Sequence, residues 1–154
     1  MSNTTPRYKV GYASGAFDLF HIGHLNILKH ARSHCDYLIA GVVSDEMLQE
    51  SKGMTPVVPV AERLEIVRNI RFVGEAVIET EVDKLLAWRR FRFNAFFKGD
   101  DWRGTEKGNY WEKRFATVGV DVVYFPYTVH TSSTQLRRAL TALDLLAESR
   151  SQSM

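Results

Sequence analysis

Gly15-Ala16-Phe17-Asp18-Leu19-Phe20-His21-Ile22-Gly23-His24 (GAFDLFHIGH) is the stretch on which the reading of this chain turns. An apolar run, Val10 to Ala13, stands before it, and an amphipathic run, Leu25 to Ala31, stands after it. Apolar run, small-residue turn and helical pattern in that order open a βαβ unit. In such a unit the first N–H groups of the helix have no intrahelical partner and can receive an anion. Gly15 and Gly23 carry no Cβ, so a phosphate can approach the main chain there. His21 and His24 are three residues apart and share one side of the first helical turn. Each can donate an N–H to a phosphoryl oxygen, and partial protonation would add positive charge. On its own, an HxxH pair is more often a surface or capping feature. Its position on a strand-to-helix joint is what points to phosphate or nucleotide binding.

Outward from this stretch the chain alternates strand and helix. The periodicity predicts a helix over 22–33 with a stripe of Ile22, Leu25, Leu28 and Ala31. Tyr37 to Val43 is a continuous apolar run, as in a strand covered on both faces, and Ser44 should cap a helix opened by Asp45 and Glu46. From Gln49 to Pro59 the pattern stops, which places Lys52 in a loop. Helical spacing returns over 60–70, where Arg63 reads as a surface cation or a member of an i, i+4 network. Strands are expected at 75–79, 95–98 and 120–125, with helices at 83–91, 109–118 and 136–146. Asp100 and Asp101, with Gly99, lie just past the fourth strand, on the edge where open parallel sheets bind ligands. They could hold a ribose hydroxyl, accept from a base amino group or organise Mg²⁺ waters, or form only a solvated acidic turn. Ser132, Ser133 or Thr134 should cap the last helix, giving a second N-terminus suited to phosphate.

Composition bounds the function. The 154 residues, 45% apolar, suffice for one domain with a core, and a net charge of +2 gives no support to a nucleic-acid partner. One cysteine, Cys35, excludes an intrachain disulfide framework and fits a reducing cytoplasm; it reads as a small buried hydrophobe before the second strand. No signal-peptide or membrane-spanning run is evident. The expected organisation is a flexible terminus over 1–8, one domain over 9–147 and a loose polar tail over 148–154.

These residues carry a resemblance. GAFDLFHIGH resembles the GxFDxxHxGH motif of cytidylyltransferase-like nucleotidyltransferases. Lys52-Gly53, Pro56 and Glu62-Arg63 resemble that family's second block, and Gly99 to Trp102 (GDDW) resembles a third, found in glycerol-3-phosphate cytidylyltransferases. Tyr127 to Thr134 (YTVHTSST) resembles an altered form of the fourth, RTxGIST, with Tyr127 and His130 in place of its arginine and glycine. Ala16 stands where the family often has threonine.

The resemblance implies a single Rossmann-like α/β domain, with about five parallel strands and helices on both faces. It implies an enzyme in which a phosphorylated alcohol attacks the α-phosphate of a nucleoside triphosphate and pyrophosphate leaves. Catalytic roles then fall to His21, His24 and Lys52. Nucleotide contacts fall to Ser14, Gly15, Ala16, Phe17, Gly23, Arg63, Gly99, Asp100, Asp101, Ser132, Ser133 and Thr134. Asp18 and Tyr127 are candidates for the acceptor side, and Asp18 or Asp101 for organising the expected Mg²⁺. CTP and glycerol 3-phosphate are the favoured substrates. Sugar phosphates, phosphoethanolamine, phosphocholine or FMN are alternatives, with ATP an alternative nucleotide and a silent nucleotide-binding module a reading of another class. Similar enzymes are commonly dimers, and Phe72, Val73 and Trp111 are candidate contact residues. If Tyr127 costs a phosphate contact, Arg137 or Arg138 should supply the missing cation.

Overall fold

The computed structural model describes residues 7–127 and 131–152, so Met1 to Pro6 and His130 lie outside the described residues. The element order is β1 (Tyr8–Gly15), α1 (Ile22–Ser33), β2 (Cys35–Val43), α2 (Asp45–Lys52), α3 (Val60–Arg68), β3 (Glu75–Glu79), α4 (Lys84–Phe91), β4 (Ala95–Gly99), a 3₁₀ turn (Asp100–Trp102), α5 (Glu106–Ala116), β5 (Asp121–Phe125) and α6 (Ser133–Gln152). All strand pairs are parallel, in the order β3-β2-β1-β4-β5. The chain turns from β1 toward β2 on one side and reaches β4 on the other, so the crevice beyond β1 and β4 is a topological switch point.

Alternation along the strands feeds two cores. Ala13 and Phe97 face Leu28 and Ala31 of α1 and Val67 of α3, while Tyr12, Ile39 and Phe96 face Trp111 and Phe115 of α5. The helices therefore cover both faces of one sheet, as the residue pattern implied. Tyr12 reaches across β2 because residue 41 is glycine: a Cβ there would lie 2.0 Å from the Tyr12 hydroxyl.

Several boundaries differ from the sequence reading, each for a local reason. α2 runs on through Lys52 and ends at Gly53, whose left-handed φ of 60° stops it, so Lys52 sits in the last helical turn. α5 begins earlier because the Thr105 hydroxyl accepts the Gly108 N–H at 3.0 Å and caps it. α6 extends from Ser133 to Gln152, well past the expected 136–146, and enters the segment read as a loose tail. Cys35 opens β2 instead of preceding it, and is fully buried as expected. Trp111, a candidate contact residue, is only 7% exposed and packs on Phe115 in the core, so it offers no docking face. Among the described residues no helix is long and apolar enough to cross a membrane.

Candidate active site

The turn from β1 into α1 is built on unusual backbone. Phe17 and Leu19 adopt φ of 54° and 53°, a left-handed conformation that costs non-glycine residues energy and clusters at functional sites. Its reward is the placement of two imidazoles. His21 is the N-cap of α1, its Nδ1 accepting the Gly23 N–H at 3.0 Å, and His24 Nδ1 accepts the His21 N–H at 3.2 Å. This is a capping box made of two histidines, with the rings stacked at 4.0 Å between centroids. Since each Nδ1 accepts, each neutral ring carries its proton on Nε2. Burial, then the neighbouring His21, push the His24 pKa down to about 4, opposed by Asp18, with Arg137 adding the smallest lowering; burial alone lowers that of His21. Both shifts favour the neutral rings, so the imidazoles offer N–H groups rather than the positive charge that partial protonation would add. The α1 N-terminus still favours an anion through its free N–H groups.

Asp18 holds the surrounding pieces together. It is 1% exposed, and its two oxygens accept the N–H groups of Val57 and Val58, each at 2.9 Å. Arg137 of α6 lies 3.5 Å from the same carboxylate, and the Asp18 carbonyl accepts the Ser133 hydroxyl at 2.7 Å. Ser133 Oγ in turn lies 3.5 Å from His24 Nε2, so the starts of α1 and α6 meet. Arg63 is 1% exposed and fully engaged. It donates to the carbonyls of Val58, Ala16 and Val43 and to the Asp45 carboxylate. It does not line the cavity, which corrects its assignment to direct nucleotide contact: Arg63 braces the turn from behind.

A cavity of about 400 Å³ opens between these elements. Ser14 through Asp18 line it from the end of β1 and the turn after it, and His21, Gly23 and His24 from the cap and first turn of α1. Lys52 reaches it from α2, while Gly99, Asp101 and Tyr127 line the far side. Ser132, Ser133 and Thr134 complete the wall at the start of α6. Asp100 does not line it; its carboxylate lies 3.5 Å from Arg103. Tyr127 donates to Asp101 at 3.0 Å, and its ring lies against Gly99, where a Cβ would come within 2.4 Å of the hydroxyl. Burial and then Asp101 push the Tyr127 pKa up to about 12, so it stays a neutral donor. Arg137 lines the cavity and Arg138 does not.

A cytidylyltransferase-like family model matches residues 12–139, from within β1 into α6. The chain belongs to the cytidylyltransferase-like family. It is 32% identical over 131 residues to a glycerol-3-phosphate cytidylyltransferase of Bacillus spizizenii, covering 84% of this chain and 95% of that protein. It is 46% identical over 74 residues to an ethanolamine-phosphate cytidylyltransferase of Dictyostelium discoideum, but that match covers 47% of this chain and 21% of the larger relative. Among solved structures, the lipopolysaccharide core biosynthesis protein of Thermoplasma volcanium shares the fold, with a TM-score of 0.67 at 19% identity over 80% of this chain and 99% of that one.

Within this family frame, one charged residue of the cavity escaped the sequence reading. Lys98 ends the apolar strand AFFK and lines the cavity, with its ammonium 4.7 Å from the centre of the Trp102 ring. A lone cation closing an apolar strand beside GDD was the available signal. Glu79, also missed, is buried and accepts from Tyr12 at 2.8 Å and Ser14 at 2.9 Å, fixing the floor of the site.

The acidic groups do not fit a resident Mg²⁺. Both Asp18 oxygens already accept backbone N–H groups, Asp101 accepts from Tyr127, and no cluster of three metal-ligating side chains occurs among the described residues.

Proposed function

We propose that this protein transfers a cytidylyl group from CTP to a phosphomonoester, with glycerol 3-phosphate the favoured acceptor and CDP-glycerol and pyrophosphate the products. The observation that carries the reading is the histidine capping box, which aims two neutral Nε2–H donors from a helix N-terminus into the cavity. A phosphate oxygen of the acceptor attacks the α-phosphorus, and the bond to the β-phosphate breaks in line. The protein has little covalent chemistry to perform; it positions the groups and holds the charge that develops. His21 and His24 donate to the α-phosphate and bridging oxygens. The α6 N-terminus, with Ser133, Thr134 and Arg137, takes the β- and γ-phosphates, so Arg137 does the work that Tyr127 cannot. Lys52 draws phosphate oxygens from above. A phosphomonoester is nucleophilic at neutral pH, so no strong base is required. Magnesium would enter with the triphosphate as part of the substrate.

The relative that is matched over nearly its whole length supports glycerol 3-phosphate. Pyrophosphate release with CTP or ATP against glycerol 3-phosphate, phosphoethanolamine and sugar phosphates tests the reading. The expected result is turnover with CTP and glycerol 3-phosphate; preference for ATP, or no release with any acceptor, would overturn it. We also propose a homodimer as the working unit, since α6 leaves Leu140, Leu143, Leu145 and Leu146 exposed. A monomer of about 18 kDa in light scattering at micromolar concentration would exclude it.

A further inference from the structure

One amine on the cavity wall stands apart from the other lysines. Lys98 lines the cavity from the end of β4 and is half-buried, its ammonium 4.7 Å from the centre of the Trp102 ring. Among the described residues it has no hydrogen-bond or ion-pair partner. Lys84, by contrast, is paired with Glu79 at 3.3 Å, and Lys9, Lys29, Lys52, Lys107 and Lys113 are exposed to solvent. The other charged side chains that line the cavity are Lys52 and Arg137, set against Asp18 and Asp101. Asp18 is engaged by Arg137 and by the N–H groups of Val57 and Val58, and Asp101 by the Tyr127 hydroxyl.

Burial weighs most on Lys98, followed by the like charges of Lys84 in α4 and Lys52 in α2. Asp101 in the 3₁₀ turn and Glu79 in β3 oppose them more weakly, and Lys107 of α5 stands over the same Trp102 ring at 4.9 Å. The balance brings the Lys98 pKa down to about 8. Desolvation beside other cations is how a lysine becomes a nucleophile near neutral pH. At pH 7.5 such a group holds ~200-fold more free amine than an ordinary lysine, and its lower basicity gives back only part of that gain. The same cavity presents donors suited to phosphate, namely His21, His24 and the starts of α1 and α6. At about 400 Å³ it encloses a small phosphorylated molecule whole, so a phosphate held by those donors keeps the rest of the molecule within the same walls as the Lys98 amine.

We infer that Lys98 is a covalent modification site, acylated by small acyl phosphates that the cavity captures through their phosphate group. The neutral Nζ attacks the acyl carbon, an amide bond forms, and the bond from that carbon to the phosphate oxygen breaks. Inorganic phosphate leaves with the electron pair and takes up the proton that the amine gives away. A neutral amide then stands where an ammonium stood, and the cavity wall has lost a cation. The inference uses the phosphate donors of the proposed transferase reading but none of its chemistry, and it holds for either nucleotide and any acceptor.

Incubating the full chain with acetyl phosphate and following each lysine by peptide mass spectrometry tests this. At pH 7.5 Lys98 should be acetylated ~10-fold or more faster than the exposed Lys29 and Lys113. Millimolar inorganic pyrophosphate, which competes for the phosphate donors, should slow Lys98 by ~5-fold or more and leave Lys29 unchanged. As pH rises from 7 to 9.5 the Lys98 rate should level off above about 8, while that of Lys29 keeps climbing ~10-fold per pH unit. Asp101→Asn removes an opposing carboxylate and should raise the Lys98 rate by ~2-fold or more, again with Lys29 unchanged. A Lys98 rate no greater than that of Lys29, no protection by pyrophosphate, a rate that climbs like that of Lys29 to pH 9.5, or no gain in Asp101→Asn would overturn the inference. Absence of pyrophosphate release with CTP while Lys98 is acetylated selectively would instead remove the transferase reading and leave this site standing.

Discussion

The two walls of the cavity attract anions by different means. At the start of α1 the donors are neutral: two imidazoles and free backbone N–H groups, fixed by a cap and by buried packing. On the far side the attraction comes from formal charges on long side chains, Lys98 in β4 and Lys52 at the end of α2, and burial first lowers the Lys98 pKa. Neutral, preoriented dipoles add little to ground-state attraction and act most strongly where charge develops, which suits the reacting phosphorus. Formal cations bind any anion from the outset, which suits capture and selection of an acceptor.

The sharpest way to break this division is through its scaffold. Arg63→Ala should cost ~3–5 kcal/mol of stability, since it leaves the Asp45 carboxylate and three carbonyls without their buried partner. Urea unfolding checks this, and a loss under ~1 kcal/mol would show that the turn does not depend on Arg63. His21→Ala and His24→Ala come next, each expected to lower kcat by ~10²–10³-fold with a much smaller change in KM. A rise in KM with kcat preserved would place the histidines on the capture side and erase the contrast. Arg137→Ala should weaken CTP binding by ~10-fold or more, while Arg138→Ala should change it by less than ~2-fold. Calorimetry with CTP separates the two; equal losses would mean the α6 terminus acts only through its overall charge.

The smallest effect is in pH dependence. Because Lys98 is charged below about 8, kcat/KM for the acceptor should decline as pH rises through that value, and Lys98→Met should flatten the decline. His24 sets the acid side with the opposite sense. Its folded pKa lies below the unfolded value, so the unfolded chain binds protons first and stability falls as pH drops from ~6.5 toward 4. Thermal unfolding across that range, with His24→Gln as the control, should show a shallower loss in the variant.

How much of this was legible depended on distance along the chain. Strand and helix placement, the Ser44 cap and the GAFDLFHIGH joint are local patterns of periodicity and turn chemistry, and the structure reproduces α1 over Ile22–Ser33 as read. Arg63 was misread because its partners are carbonyls 5, 20 and 47 residues away, which no i, i+4 pattern reveals. The charge state of the histidines was misread for a related reason. Spacing shows that two rings share a face, but burial decides whether they protonate. Lys98 was passed over because a strand-ending lysine resembles many solvated ones until Trp102 and Lys84 are brought beside it from other elements.

The histidine cap has a consequence for how the site can be watched. The Gly23 and His21 amide protons are held by the very nitrogens whose engagement sends each ring proton to Nε2. Those two amides touch no proposed reacting atom, yet their exchange with solvent requires the cap to open. Their protection therefore reports the fraction of molecules in the donor-ready tautomer, in the absence of any nucleotide. An opening of the first turn of α1 too brief to alter the fold would appear there as faster exchange, coupled to loss of both donors at once.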